Sequence, residues 1–69
     1  MENKVAKRLL ELRRERKLSQ AELGRLTGIE HGSIGRWENG DWLPGVDNII
    51  KLCLFFGCSA DYLIGLKDE

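Results

Sequence analysis

Apolar residues recur along this chain at spacings of three and four, which is the repeat of an α-helix with one buried face. In the first segment, from about residue 3 to residue 16, Val5, Leu9 and Leu12 form one such stripe. Asn3 stands at its start, where an asparagine side chain commonly accepts a hydrogen bond from a free backbone N–H. The pattern therefore predicts an amphipathic helix over 3–16.

A second, short helix is predicted from its boundary residues. Ser19 and Glu22 have the spacing of a capping box, in which the serine hydroxyl and the glutamate carboxylate each accept a backbone N–H at the helix start. The helix should continue to about Thr27 and end at Gly28, because glycine adopts the left-handed conformation without a side-chain clash.

A third helix is predicted from Glu30 to Asn39, with Ile34 and Trp37 as its buried pair. Two helices joined by such a tight turn form a helix-turn-helix. Gly24 is small enough for the two helices to cross closely. Burial of Ile34 and Trp37 would leave the opposite face of the third helix free to project.

Two further helices complete the pattern. A loop over 41–45 contains Pro44 and precedes a helix from about 46 to 56, and Ser59 can cap a last helix that ends near Ile64. The apolar positions expected to face the core from the fourth helix are Val46, Ile49, Ile50, Cys53 and Phe56. The expected fold is therefore all-α, with five helices in a single domain over 1–69.

Size and composition limit what such a domain can do. The chain has 69 residues, of which 42% are apolar, and this leaves too little core to enclose a large active site. No run approaches the roughly 20 apolar residues of a membrane span. Residues 1–4 lack the apolar core of a signal peptide. We therefore expect a cytoplasmic protein with no membrane partner.

Reactive side chains are too few and too scattered for catalysis or metal binding. Cys53, Cys58 and His31 lack the paired spacing of a zinc site, and they supply no nucleophile with an adjacent base. We expect two reduced thiols, no metal, no cofactor, no small-molecule effector and no enzymatic activity.

Charge is unevenly divided along the chain, although the net charge is zero. Residues 1–27 carry eight cations and four anions, whereas residues 28–69 carry three cations and seven anions. This division fits either an ordinary solvated helix face or a bipolar domain with one side suited to phosphates.

Several segments together resemble a known family. They are Leu-Ser-Gln-Ala-Glu-Leu at 18–23, Gly-Ile at 28–29 and Ser-Ile-Gly-Arg-Trp-Glu-Asn-Gly at 33–40, and the segment 52–65 also fits. In this combination the chain resembles the Cro and phage-repressor type of helix-turn-helix regulators over nearly its whole length. The resemblance implies a compact five-helix, lambda-repressor-like bundle. It also implies sequence-specific binding of double-stranded DNA by a transcriptional regulator, which we expect to be a repressor.

The resemblance further implies which residues meet DNA, with the third helix in the major groove. The positions are Ser19, Gln20, His31, Gly32, Ser33, Arg36 and Asn39. Ser19 and Gln20 would contact the phosphate backbone at the N-terminus of the second helix. Arg36 would pair with guanine O6 and N7, or with a phosphate. An ordinary surface role for His31 and a helix-capping role for Asn39 stay open.

The family pattern also places an ion pair between Arg13 on the first helix and Glu38 on the third. Other positions depart from the pattern. Gly32 and Gly35 stand where polar side chains are usual, so base readout is expected to be sparse, and Glu30 replaces a serine or threonine cap.

Apolar residues on faces that the family leaves to solvent indicate an interaction surface. They are Leu10, Trp42, Leu54 and Phe55. Leu54 and Phe55 on the fourth helix are the candidates for a homodimer contact, unless they cover the edge of a small core. A rival function is a protein-interaction module on the same fold, such as an antitoxin or anti-repressor partner. The zero net charge and the glycines of the third helix favour that rival.

Overall fold

The chain folds as five α-helices in a computed structural model that describes residues 3–68. The helices are α1 (Val5–Glu15), α2 (Gln20–Thr27), α3 (His31–Asn39), α4 (Val46–Phe56) and α5 (Ala60–Ile64). No strand occurs among the residues described, so the predicted all-α fold is confirmed. Met1, Glu2 and Glu69, which belong to the predicted domain over 1–69, lie outside the described residues.

Capping residues set the helix boundaries near α2. Ser19 Oγ accepts from the Glu22 N–H at 3.0 Å, and the Glu22 carboxylate accepts from the Ser19 N–H at 2.9 Å, which is the predicted capping box. Gly28 follows α2 with a φ of 76°, in the left-handed region. Asn3 accepts from the Val5 N–H at 3.1 Å, so α1 begins two residues after Asn3.

One large aliphatic side chain from each helix is fully buried, and together they form the centre of the core. They are Leu9, Leu23, Ile34, Leu52 and Leu63. Trp37 and Ile29 pack into the same cluster. Burial of each such side chain contributes about 1.5–3 kcal/mol relative to leaving it exposed. The helix-turn-helix is thus fixed to α1 through α3 and to α4 through α2, and α5 packs against α1 and α4.

The predicted inward face of α4 is partly wrong. Val46 and Ile50 are exposed, at 72% and 51%, whereas Leu52 is fully buried. Phe56 lies one turn beyond Leu52 and is also buried. Nearly every residue from 49 to 56 is apolar, so periodicity alone did not fix which side of α4 meets the core. Contact with α2 and α5 fixes it.

A buried cation on α1 holds the C-terminal segment. The Arg8 guanidinium lies 4.2 Å from the centre of the Tyr62 ring. It donates to the carbonyl oxygens of Tyr62 and Lys67, and it lies 3.6 Å from the Asp68 carboxylate. Charge-assisted hydrogen bonds and contact with an aromatic face compensate the burial of Arg8. The chain after α5 is therefore tied to α1.

Candidate nucleic-acid interface

The turn between α2 and α3 is tight because glycine occupies the crossing point. A Cβ placed on Gly24 would lie 2.7 Å from the carbonyl oxygen of Ile29, which is too close for any larger residue without a shift of the backbone. Ile29 itself is buried directly after Gly28. The predicted role of Gly24 is confirmed, and α3 leaves the turn in a fixed direction.

Two buried side chains fix which face of α3 projects. Ile34 and Trp37 are buried, so the outward face is formed by residues 32, 36 and 39, which follow one another at helical spacings of four and three. Arg36 and Asn39 on this face are exposed. His31 is also exposed, at the first position of α3. Of the three side chains expected to project from α3, His31 and Arg36 are exposed, whereas Ser33 is half-buried.

Ser33 differs from its neighbours because it lies between the outward face and the buried side. It is half-buried, and its hydroxyl lies 3.4 Å from a carboxylate oxygen of Glu30. Its backbone N–H also donates to Glu30. Ser33 is therefore engaged within the helix terminus and projects less than Arg36 does.

Glu30 caps α3 with its charge. Its carboxylate accepts from the Gly32 N–H at 2.9 Å and from the Ser33 N–H at 3.1 Å. The hydrogen bond from Gly32 and, to a smaller degree, that from Ser33 lower the pKa of this exposed carboxyl. A Cβ at residue 32 would lie 3.0 Å from both carboxylate oxygens, so Gly32 suits this cap. The cap occupies backbone donors that an anion at the start of α3 would otherwise use.

The N-terminus of α2 keeps its donors. The N–H groups of Gln20 and Ala21 have no hydrogen-bond partner within residues 3–68, whereas those of Ser19 and Glu22 belong to the capping box. Unpaired N–H groups at the positive end of a helix form an anion-binding arrangement. This tip is half-exposed at Gln20 and exposed at Ala21.

The Gln20 side chain joins α2 to α3. Its Nε2 donates to Glu38 Oε1 at 3.0 Å, and its Oε1 would lie 3.2 Å from a Cβ placed on Gly35. The absence of a side chain at Gly35 therefore gives Gln20 room to lie along α3. The sequence did not predict this contact between Gln20 and α3. The contact explains why Gly35, one of the two unusual glycines of α3, carries no side chain.

A bidentate ion pair links α1 to the end of α3. Arg13 Nε donates to Glu38 Oε2 at 2.7 Å, and Arg13 Nη2 donates to Glu38 Oε1 at 2.8 Å. The third guanidinium nitrogen, Nη1, donates to the Leu18 carbonyl at 2.8 Å. The hydrogen bond with Glu38 raises the pKa of Arg13 despite its desolvation. The predicted Arg13–Glu38 pair is confirmed.

Arg36 has an aromatic neighbour that the sequence did not predict. Its guanidinium carbon lies 4.2 Å from the centre of the Trp42 ring, over the ring. The loop after α3 folds back against the end of that helix, because the N–H groups of Asp41 and Trp42 both donate to the Arg36 carbonyl, at 2.9 Å and 3.4 Å. Gly40 permits this return with a φ of 82°. Trp42, expected on a solvated face, is thus a partner of Arg36.

Residues 9–63 match the family model for the helix-turn-helix. The match covers most of the chain and includes both helices of the motif. This chain belongs to the Cro and phage-repressor type of helix-turn-helix family. The resemblance derived from the sequence is therefore confirmed, and with it the lambda-repressor-like arrangement of the helices.

Two relatives are longer proteins that this chain matches over most of its own length. Repressor protein C2 of Salmonella phage P22 is 32% identical over 60 residues, which cover 87% of this chain and 28% of that protein. YobD of Bacillus subtilis, an uncharacterized HTH-type transcriptional regulator, is 34% identical over 62 residues, which cover 90% of this chain and 55% of that protein. This chain thus spans about half or less of each relative.

The helix-turn-helix brings the sequence-predicted residues to two neighbouring places. Ser19 and Gln20 form the tip of α2, and the remaining five belong to α3: His31, Gly32, Ser33, Arg36 and Asn39. Gln20 connects the two places through Glu38. Within residues 3–68 no cluster of His, Cys, Asp or Glu could hold a metal ion. No helix in that range is long and apolar enough to cross a bilayer.

Proposed function

We propose that this domain binds double-stranded DNA sequence-specifically, with α3 in the major groove, and represses transcription. The observation that carries the proposal is the exposed face of α3 bearing Arg36, beside the unpaired N–H groups at the tip of α2. An α-helix fits the major groove, where each base pair presents a distinct pattern of donors and acceptors. The names of both relatives, a repressor and a transcriptional regulator, support the same role.

Phosphate contacts would position the domain on the duplex. We assign them to the tip of α2 at Ser19 and Gln20. The N–H groups of Gln20 and Ala21 have no partner there, so the tip can hold an anion beside the capping box of Ser19. Asn39, exposed at the end of α3, would reach a phosphate through its amide. The excess of cations in residues 1–27 supports an approach of this half to DNA.

Base contacts would be few. Arg36 is the reader of guanine, through its paired donors, and His31 would donate to a base or a phosphate. Gly32 brings only backbone to the groove, and Ser33 is held by Glu30. Specificity would therefore depend mainly on Arg36, and sequence preference should be strong at one base pair of each half-site.

Selection of duplexes from a random pool, followed by fluorescence anisotropy titrations, tests this proposal. Wild-type affinity should fall steeply as salt rises, because phosphate binding releases counterions. Arg36→Ala should lose about 1–3 kcal/mol of discrimination at the guanine position. Lys51→Ala, which removes an exposed cation on α4, is the matched control and should keep that preference. Binding that neither depends on salt nor selects a sequence would refute the proposal.

A second copy of the chain would complete the binding unit. Leu54 on α4 is 80% exposed, and Val46 and Ile50 lie on the same face at intervals of one helical turn. Phe55 is half-buried against the core, so it would border such a contact, while Leu54 would fill it. Leu10 is also half-buried. A dimer would place two copies of α3 on half-sites about 34 Å apart.

Sedimentation at increasing protein concentration tests the dimer. The wild type should shift from monomer to dimer, and Leu54→Asp should stay monomeric because a carboxylate would be buried without a partner. Leu66→Asp alters another exposed leucine, outside α4, and should behave as the wild type does. A wild type that remains monomeric at high concentration would contradict the dimer.

A protein-interaction module is the second candidate function. It is favoured by the anionic Glu30 cap, which adds negative charge where DNA phosphates would approach α3, and by the zero net charge. In that case α3 would face a partner protein such as a toxin or a repressor. DNA affinity would then be weak and would select no sequence in the titrations above.

A further inference from the structure

We propose that Trp42 is a positioning residue for Arg36 and thereby sets base specificity, an inference that rests on the proposed function. Trp42 is 53% exposed, yet its ring lies 4.2 Å from the Arg36 guanidinium carbon. An aromatic ring at this distance attracts a guanidinium to its face. Here the ring stands at the margin of the α3 face that carries Arg36.

The loop backbone holds Trp42 in register with Arg36. The Arg36 carbonyl accepts from the N–H groups of Asp41 and Trp42, and the left-handed Gly40 turns the chain back toward α3. Pro44, two residues after Trp42, is buried and anchors the far side of the loop. The indole therefore belongs to a constrained loop, and its place beside Arg36 is part of the helix terminus.

Stacking on an indole leaves arginine free to read a base. The attraction acts through the face of the guanidinium, whereas the N–H donors point outward in its plane. None of the hydrogen bonds and ion pairs found within residues 3–68 involves the Arg36 guanidinium. Its donors thus stay available for guanine O6 and N7 while Trp42 fixes the plane that carries them.

Fixing this plane should affect specificity more than total affinity. A free arginine side chain samples many rotamers and readily turns to a nearby phosphate, which carries no sequence information. An arginine held by Trp42 presents its paired donors in one orientation and loses less freedom on binding. The effect is concentrated at Arg36 because Gly32 and Gly35 contribute no side chain to the groove.

Duplex pairs that differ only at the guanine assigned to Arg36 test the inference. The measured quantity is the ratio of dissociation constants for the altered and the preferred duplex. Trp42→Ala should lower this ratio about two- to fivefold, the range expected for an exposed cation–π contact. Trp42→Phe should restore most of the ratio, since phenylalanine also offers a ring face. Leu43→Ala, which trims the neighbouring exposed side chain, is the control and should leave the ratio unchanged.

Coupling to Arg36 separates positioning from a general structural role. In the Arg36→Ala background, Trp42→Ala should change the ratio no further, because the side chain that it positions is absent. If Trp42→Ala lowered the affinity for both duplexes by the same factor, the inference about Trp42 would be overturned and the proposed function would stand. The same would follow if Trp42→Ala changed the ratio equally with and without Arg36. A wild type with no preference between any duplexes would overturn the proposed function itself.

Discussion

Replacement of Arg13 by alanine should destabilise the domain strongly, because it removes one partner of a buried ion pair. The Glu38 side chain is only 4% exposed, and Arg13 supplies two of the three side-chain hydrogen bonds that the carboxylate accepts, the third coming from Gln20. Arg13→Ala would leave this carboxylate buried with one neutral donor. It would also remove the hydrogen bond to the Leu18 carbonyl.

The expected loss follows from the burial of the pair. Removal of one partner from a buried ion pair costs about 3–5 kcal/mol, because the remaining charge stays desolvated. The Gln20 amide still donates to Glu38, so we expect the lower end, about 3 kcal/mol. A core of this size provides roughly 3–5 kcal/mol in total. Arg13→Ala should therefore bring the domain close to its unfolding midpoint.

Urea unfolding, followed by tryptophan fluorescence with buried Trp37 as the reporter of the core, measures this loss of unfolding free energy. A double-mutant cycle with Glu38→Leu then gives the interaction energy between Arg13 and Glu38. The double variant should recover part of the stability, because it no longer buries an unpaired carboxylate. Arg14→Ala is the matched control, since Arg14 is exposed on the same helix. If Arg13→Ala and Arg14→Ala lose the same free energy of unfolding, the reasoning fails.

Three further predictions can be tested on stability and reactivity. Gly24→Ala should lose about 1–3 kcal/mol through the clash with the Ile29 carbonyl. Gly35→Ala should change the free energy of unfolding much less, because its gain of up to about 1 kcal/mol in helix propensity is offset by crowding of the flexible Gln20 side chain; urea unfolding of both variants compares them. The hydrogen bonds with Ser19 lower the pKa of Glu22, and the hydrogen bond with Gly32 lowers the pKa of Glu30. The stabilisation from these two carboxylates is present above the pKa values of the unfolded state and is lost as pH falls through the lowered pKa values of the folded state. The melting temperature should therefore fall on acidification. It should fall less in Glu22→Gln, which has no carboxylate to titrate at residue 22. Burial, and then the neighbouring Cys58, raise the pKa of Cys53 to about 11, so this thiol should react slowly with iodoacetamide at neutral pH, and fast alkylation would contradict it.

Local signals in the sequence predicted the helix ends well. Caps such as Ser19 with Glu22, and stops such as Gly28, act within a few residues of the boundary that they set. The Arg13–Glu38 pair was accessible only through the family resemblance, because the two residues lie 25 positions apart. Its prediction depended on a known spatial arrangement and not on local pattern.

Tertiary contacts explain what sequence reasoning missed. The side of α4 that meets the core was ambiguous because apolar residues surround most of that helix. From the sequence alone, Arg8 is expected to be a solvated cation. In the fold, the end of α5 and the segment after it bury this side chain with backbone carbonyls and the Tyr62 ring. From the sequence alone, Trp42 is expected to be an exposed apolar residue. It reaches Arg36 only because the loop after α3 folds back onto the end of the helix.

The carboxylate of Glu38 couples the stability of the fold to the geometry of the candidate DNA surface. It accepts from Arg13 on α1 and from Gln20 at the first position of α2, while its own backbone belongs to α3. A movement of α3 away from α1 would therefore break the contact that orients Gln20 as well. Because hydrogen bonds that share one acceptor reinforce each other, loss of the Arg13–Glu38 pair should weaken the Gln20 contact between the tip of α2 and the face of α3 as well as lower the stability of the fold.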